Sequence, residues 1–252
     1  MDFIDWDDFL GGDHDYHLDI LRRSSEQAEH LMDLVRLNYC RMDLPDTLPG
    51  RVSMLGDGTP FSCGLYYAPE DHESYMIAGQ VMQVARVAGL GLDFCNVNDL
   101  SVVAMGETGN IARQALTLFT QALEANYLSS KFAQCFVVLE FLATPGEFEK
   151  MGATKTKIGA HIADDKATYH AFCREMEYLH KNLRTSIVHG GASFEQIIPD
   201  KAERARIFRR FQRLIAITLS DMIQHAEMPW ADFQAYRDRR LQAIGIKGQS
   251  DE

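Results

Sequence analysis

The sequence predicts a mainly α-helical protein. Three observations carry that expectation: apolar residues recur at helical spacing in several separate stretches, the later stretches are joined by short connections, and glycine and proline gather at their ends. A first helix is expected from about His17 to Cys40. Its apolar positions Leu21, Ala28, Leu31, Val35 and Tyr39 lie 7, 3, 4 and 4 residues apart and build one buried stripe. Pro45, Pro49 and Pro60 then break the chain, and between them Arg51 to Leu55 and Phe61 to Tyr67 read as short strands. A second helix is expected to start at Pro69, a residue suited to a first helical position, and to end near Gly89-Leu90-Gly91.

The Gly106-Glu107-Thr108-Gly109 stretch marks the expected domain boundary. It separates an acidic N-terminal segment, residues 1–105, from a helical bundle over 106–245 and a tail at 246–252. Asn110 to Asn126 carries Ile111, Ala115, Leu118 and Ala122 on one face. Ser129 or Ser130 is placed to cap a following helix that Thr144-Pro145-Gly146 stops. A long helix is expected from about Asp165 to Val188, ended by Gly190-Gly191. Two more are expected over about Ala202–His225 and Ala231–Ile244. Long amphipathic helices with short connections predict an antiparallel bundle.

Composition narrows the class. The 252 residues are 46% hydrophobic and 24% charged, as in an ordinary water-soluble domain with a proper core. The opening Met1-Asp2-Phe3-Ile4-Asp5 is acidic where a secretory leader would be basic. The longest apolar run, Phe136 to Ala143, is interrupted by Glu140 and is far short of a membrane span. Five cysteines without a CxxC pair point to reduced thiols, so a cytoplasmic protein is expected. The sequence holds no Walker loop, dinucleotide fingerprint, HExxH or Gly-x-Ser-x-Gly, and neither cofactor nor metal is called for. Asp13-His14-Asp15-Tyr16-His17 has the donor types of a metal site, but aspartates before a helix also serve as caps, and that reading is taken.

The net charge of −11 argues against gripping nucleic acid by bulk electrostatics. A local exception is the run Lys201, Arg204, Arg206, Arg209, Arg210 and Arg213. It is either an RNA-attracting face or a solvated helix face.

The long helix carries the candidate chemistry. Phe172, Met176, Leu179, Leu183 and Ile187 form its buried stripe, and Glu177, His180 and Arg184 share a polar face at the rim. His189 follows Arg184 by five residues, about 140° round on an ideal helix. It points elsewhere unless the helix unwinds locally, which the glycines beyond it permit. An Arg-x4-His spacing alone is a weak signal.

The surrounding string, Tyr178-Leu179-His180-Lys181-Asn182-Leu183-Arg184-Thr185-Ser186-Ile187-Val188-His189-Gly190-Gly191, resembles the signature of the HEPN superfamily, particularly its ApeA-like branch. Phe136-Val137-Val138-Leu139-Glu140-Phe141-Leu142 is similar to that branch's apolar helix with an embedded glutamate. The resemblance spans about residues 107–227 and leaves 1–105 uncovered. It implies a HEPN-type bundle that forms a homodimer and joins two Arg-x4-His motifs in one cleft. It also implies a metal-independent endoribonuclease in a toxin, stress or antiviral-defence system. Arg184 and His189 would be catalytic, the arginine stabilising the phosphorane and the histidine moving protons. Thr185, Glu140, His180 and Glu177 would support them, and Lys181 would join the basic run as an RNA contact. Residues 1–105 would sense a trigger or bind a regulatory protein. Two departures stand out: Thr185 occupies the place where active members often carry Asn, Asp or His, and Gly191 stands where some toxin members have tyrosine. The alternative is a non-catalytic HEPN module that binds nucleotide, RNA or a protein partner. Arg184 would then be a structural partner of a carboxylate, and His189 a C-terminal helix cap.

Overall fold

The computed structural model describes residues 8, 11–44, 63–68, 73–78, 106–147 and 151–246. The protein is mainly α-helical, as its patterning predicts. It divides into two compact units, one of residues 1–32 with 49–99 and one of residues 33–48 with 100–252. No helix among the described residues is long and apolar enough to cross a membrane.

In the first unit, helix α1 (His14–Tyr39) begins with Asp13, whose carboxylate accepts the Tyr16 N–H at 2.9 Å. This is the helix-capping use of the acidic start. Strands β1 (Cys63–Ala68) and β2 (Glu73–Ala78) form an antiparallel hairpin in which Cys63 faces Ala78 and Ala68 faces Glu73. The first strand matches the expected Phe61–Tyr67 segment. The second replaces the start of the helix expected from Pro69. Ser74-Tyr75-Met76-Ile77 is rich in β-branched and aromatic residues, so pairing with β1 overrides the helical cue of the proline. The remainder of that helix and the Arg51–Leu55 strand lie outside the described residues. The stripe expected along α1 is also only partly right, because Leu31 is 45% exposed.

The last turns of α1 belong to the second unit, where they are tied down by polar contacts. Asp33, nearly fully buried, pairs with the equally buried Arg36 at 2.9 Å. It also accepts the hydroxyls of Thr120 at 2.6 Å and Thr117 at 3.2 Å. Just beyond, the Gln212 side chain accepts the Met42 N–H and donates to the Cys40 carbonyl.

The bundle itself consists of α2 (Glu107–Glu124), α3 (Leu128–Ala143), α4 (Met151–Ile162), α5 (Lys166–Tyr178), a π-helical segment Leu179–Arg184, α6 (Thr185–Val188), α7 (Phe194–Ile197), α8 (Lys201–Gln224) and α9 (Trp230–Ala243). All five helices expected in the bundle appear with ends shifted by at most three residues, the long one containing the π-helical segment. Helix α4 was not foreseen: Gly152 and Gly159 dilute its pattern, and its buried face includes Thr154 and His161. A Cβ at Gly159 would meet the Tyr169 ring at 2.7 Å, so this glycine lets α4 and α5 pack closely.

The core is built on phenylalanines. Phe132 stacks on Phe194 with ring centroids 4.9 Å apart, and Phe136 and Phe211 meet edge-on at 5.1 Å. Fully burying such a side chain contributes about 1.5–3 kcal/mol each. Ser129 does not cap α3, whose N-cap position is Tyr127 and has no side-chain cap. Its hydroxyl instead accepts the Phe194 N–H at 2.8 Å, at the start of α7, where Ser193 and Gln196 complete a capping box. A Ser129→Ala change should therefore lower stability by about 1–2 kcal/mol, the cost of leaving a buried amide unsatisfied. Urea unfolding checks this. A change below a few tenths would mean water replaces the serine there.

Candidate functional site

Helix α5, the π-helical segment and α6 run on as one continuous helical stretch. The Thr185 N–H reaches back five residues to the His180 carbonyl, which widens the turn between them. The wider turn keeps Leu183, 1% exposed, on the same buried face as Leu179 and Phe172. It also sets the rim. The Arg184 guanidinium lies 5.5 Å above the Phe136 ring, a cation–π arrangement on top of the phenylalanine core. Nη2 of Arg184 approaches the Glu140 carboxylate at 3.2 and 3.4 Å, and Nη1 stands 3.2 Å from Nε2 of His180. The His180 ring in turn meets the edge of Phe136.

The side chains of Arg184 and Glu140 are 24% and 23% exposed, so they are held from below yet reachable from above. Burial pushes the Glu140 carboxyl above its ordinary range, and the Arg184 charge pulls only partly against it. That balance fits a rather long ion pair, in which attraction does not fully replace lost water. Burial also pushes the His180 ring below its ordinary value, helped by the charges of Arg184, Lys155 and Lys181.

No family model matches the chain, and neither a curated protein nor a solved structure matches it.

The other expected site residues are distributed as follows. His189 is exposed at the end of α6, and its imidazole touches no partner among the described residues. It joins none of the contacts that hold Arg184. Behind it, a Cβ at Gly190 would come within 2.6 Å of the Ser186 carbonyl, and Gly191 has a positive φ of 67°. Both positions therefore require glycine, and the tight exit leaves His189 as the last side chain of the helix. Thr185 is exposed, but its hydroxyl donates to the His180 carbonyl at 3.2 Å, a local bond that occupies its proton. Glu177 leaves the Arg184 group for Lys181 and for Lys155, 3.5 Å away.

The basic run on α8 is largely occupied internally. Arg204 donates to the carbonyls of Ile198 and Pro199, and Arg206 pairs with Glu203. Arg210 pairs with Glu175, and Arg209 stands 3.5 Å from Asp43. Arg213 is exposed and without a partner among the described residues. The run therefore offers phosphate less free positive charge than its sequence suggests. Among the described residues no group of three His, Cys, Asp or Glu side chains could hold a metal ion.

Sequence reasoning missed a second buried polar group. Arg237, 1% exposed, donates from Nε to Nε2 of His161 at 2.8 Å, and from its terminal nitrogens to the carbonyls of Ala143 at 3.1 Å and Leu142 at 2.8 Å. Nδ1 of His161 stands 2.6 Å from Asp221, which also receives the Tyr236 hydroxyl and Arg240. The arginine thus satisfies the last carbonyls of α3, the helix that carries Glu140. The only hint in the sequence is an arginine on the apolar side of α9. A cleft of about 590 Å³ opens between Glu107, Ile111, Thr144, Lys157, Trp230 and Gln234, and none of the expected site residues lines it.

Proposed function

We propose that the protein is a metal-independent endoribonuclease of the HEPN type that works as a homodimer. The observation that carries this reading is the arrangement at the end of the α5–α6 stretch. An arginine is braced by Glu140, His180 and Phe136 but open to solvent, and an unengaged histidine lies one helical turn further on. A braced guanidinium has its donors arranged before the substrate arrives, and this is what stabilises a dianionic phosphorane.

In the reaction the RNA 2′-oxygen attacks the neighbouring phosphorus, the bond from phosphorus to the 5′-oxygen breaks, and a 2′,3′-cyclic phosphate remains. Histidine suits both proton movements, removal from the 2′-hydroxyl and delivery to the leaving 5′-oxygen. A dimer supplies two such histidines, so that one can act as base while the other acts as acid. Two arginines facing each other would repel, and an RNA phosphate between them relieves that repulsion.

The test is cleavage of labelled, largely single-stranded RNA in excess EDTA. Wild-type protein is expected to cut and leave cyclic phosphate ends, with a rate that falls on dilution below the dimer constant. Binding without turnover would favour the second reading, a non-catalytic nucleotide- or RNA-binding module. That reading is favoured by two contacts, the Arg184–Glu140 ion pair and the Thr185 hydroxyl bond to its own backbone.

A further inference from the structure

We propose that neutral His180 is a positioning residue for Arg184, accepting a guanidinium N–H at Nε2 and thereby fixing the arginine's orientation toward an anionic ligand. The proposal rests on the ribonuclease reading for its catalytic consequence, although the contact itself does not.

The geometry leaves little choice of proton arrangement. Arginine has only donors, so the nitrogen 3.2 Å from its Nη1 must carry a lone pair. His180 is therefore neutral in this arrangement, with its proton on Nδ1. Glu140 takes the other terminal nitrogen from α3, and the Phe136 ring supports the plane from below. Nη1 bears two N–H groups, and only one is turned to His180. Its second donor is left for a ligand, and the two contacts on either side stop the plane from rotating. A carboxylate alone would hold one edge and leave the plane free to turn. A histidine four residues back on the same face of the helical stretch supplies the second anchor.

Protonation of His180 would remove the acceptor and set a second cation beside Arg184. The charged groups around the ring are Arg184, Lys181 and Glu177 from its own helical stretch, Lys155 from α4 and Glu140 from α3. Glu177 is already shared between Lys181 and Lys155, and Glu140 already faces Arg184. No uncommitted carboxylate among these groups is left to welcome an imidazolium. On acidification the clamp should thus open, and this occurs below the ordinary histidine range because burial and the three neighbouring cations disfavour the charged ring.

Two measurements on the full chain test this. The first is the ring nitrogen spectrum of His180, assigned by its loss in His180→Gln. An Nδ1–H tautomer is expected, with a titration midpoint that rises toward about 6.5 in Arg184→Gln, where the neighbouring charge is gone. An Nε2–H tautomer, or a midpoint that does not move, overturns the proposal. The second is the pH profile of RNA cleavage by His180→Gln and His180→Leu. Glutamine can accept the guanidinium N–H without titrating. It should keep neutral-pH kcat/KM within about threefold of wild type and lose the acid limb that belongs to His180. Leucine should lose about tenfold or more, the worth of one charge-assisted hydrogen bond. Equal losses in both variants would reduce His180 to a packing residue. If wild type cuts no RNA at any pH, the ribonuclease reading falls, and the nitrogen spectrum alone decides whether His180 holds Arg184.

Discussion

Arg237→Met is expected to destabilise the bundle by about 3–5 kcal/mol, because it removes one partner from a buried polar group and leaves the others unsatisfied. Methionine keeps much of the apolar stem but removes the guanidinium, which also lies over the Trp230 and Phe233 rings, so the loss reports the hydrogen bonds and the cation–π contacts together. The polar groups left behind are the Leu142 and Ala143 carbonyls and Nε2 of His161, all on buried residues. For a chain of this size the midpoint of thermal unfolding should fall by roughly 10 °C. A drop of only one or two degrees would mean that α3 ends satisfactorily without the arginine.

The same group makes stability depend on pH. Burial pushes His161 down to about 4, against the pull of Asp221, and Arg237 adds to the push. Burial also lowers Arg237 to about 9, which leaves it charged at neutral pH. His161 therefore donates from Nδ1 to Asp221 as a neutral ring, and the two do not form an ion pair. The folded ring refuses a proton that the unfolded chain takes up at about 6.5. The contribution is thus fully present above about pH 6.5 and is lost as pH falls toward 4, about 3 kcal/mol in all. His161→Gln should flatten this part of the stability curve, measured by urea midpoints between pH 7 and pH 4. An unchanged slope would sink the assignment to His161.

The largest effect on activity is expected from His189. If the exposed imidazole moves the protons, His189→Ala should lower kcat by about 10²–10⁴, the usual worth of general acid–base catalysis. Because its side chain is exposed and makes no hydrogen bond, ion pair or ring contact among the described residues, the variant should fold and unfold like wild type. A catalytic loss without a stability loss is therefore the diagnostic pair. Arg184→Ala should lower kcat by about 10²–10³ and should also cost some stability, since it strips Glu140 and uncovers Phe136. A His189 variant that cuts as fast as wild type would remove this histidine from the mechanism and end the Arg-x4-His reading.

The α-helical class, the long helix with its stripe of Phe172, Met176, Leu179 and Leu183, and the grouping of His180 with Arg184 were all legible in the residues. These follow from local spacing along one stretch of chain, and a helix converts spacing directly into direction. The glycine pair after His189 was legible for the same reason, since backbone crowding and positive φ are local demands. Long-range partners were not. Nothing in the spacing shows that Ser129 accepts from Phe194, that Arg204, Arg206, Arg209 and Arg210 are already engaged, or that Asp33 at the end of α1 anchors α2. The Pro69 cue likewise lost to strand pairing, which depends on a neighbouring segment. Glu140 lies between the two cases. Its place inside the apolar Phe136–Ala143 run singled it out in the sequence, and only packing of α3 against the π-helical turn chose Arg184, 44 residues away. Helix direction is set by neighbours a few residues off. The choice among distant partners is set by which faces the whole core brings together, and a single stretch of chain carries no record of that.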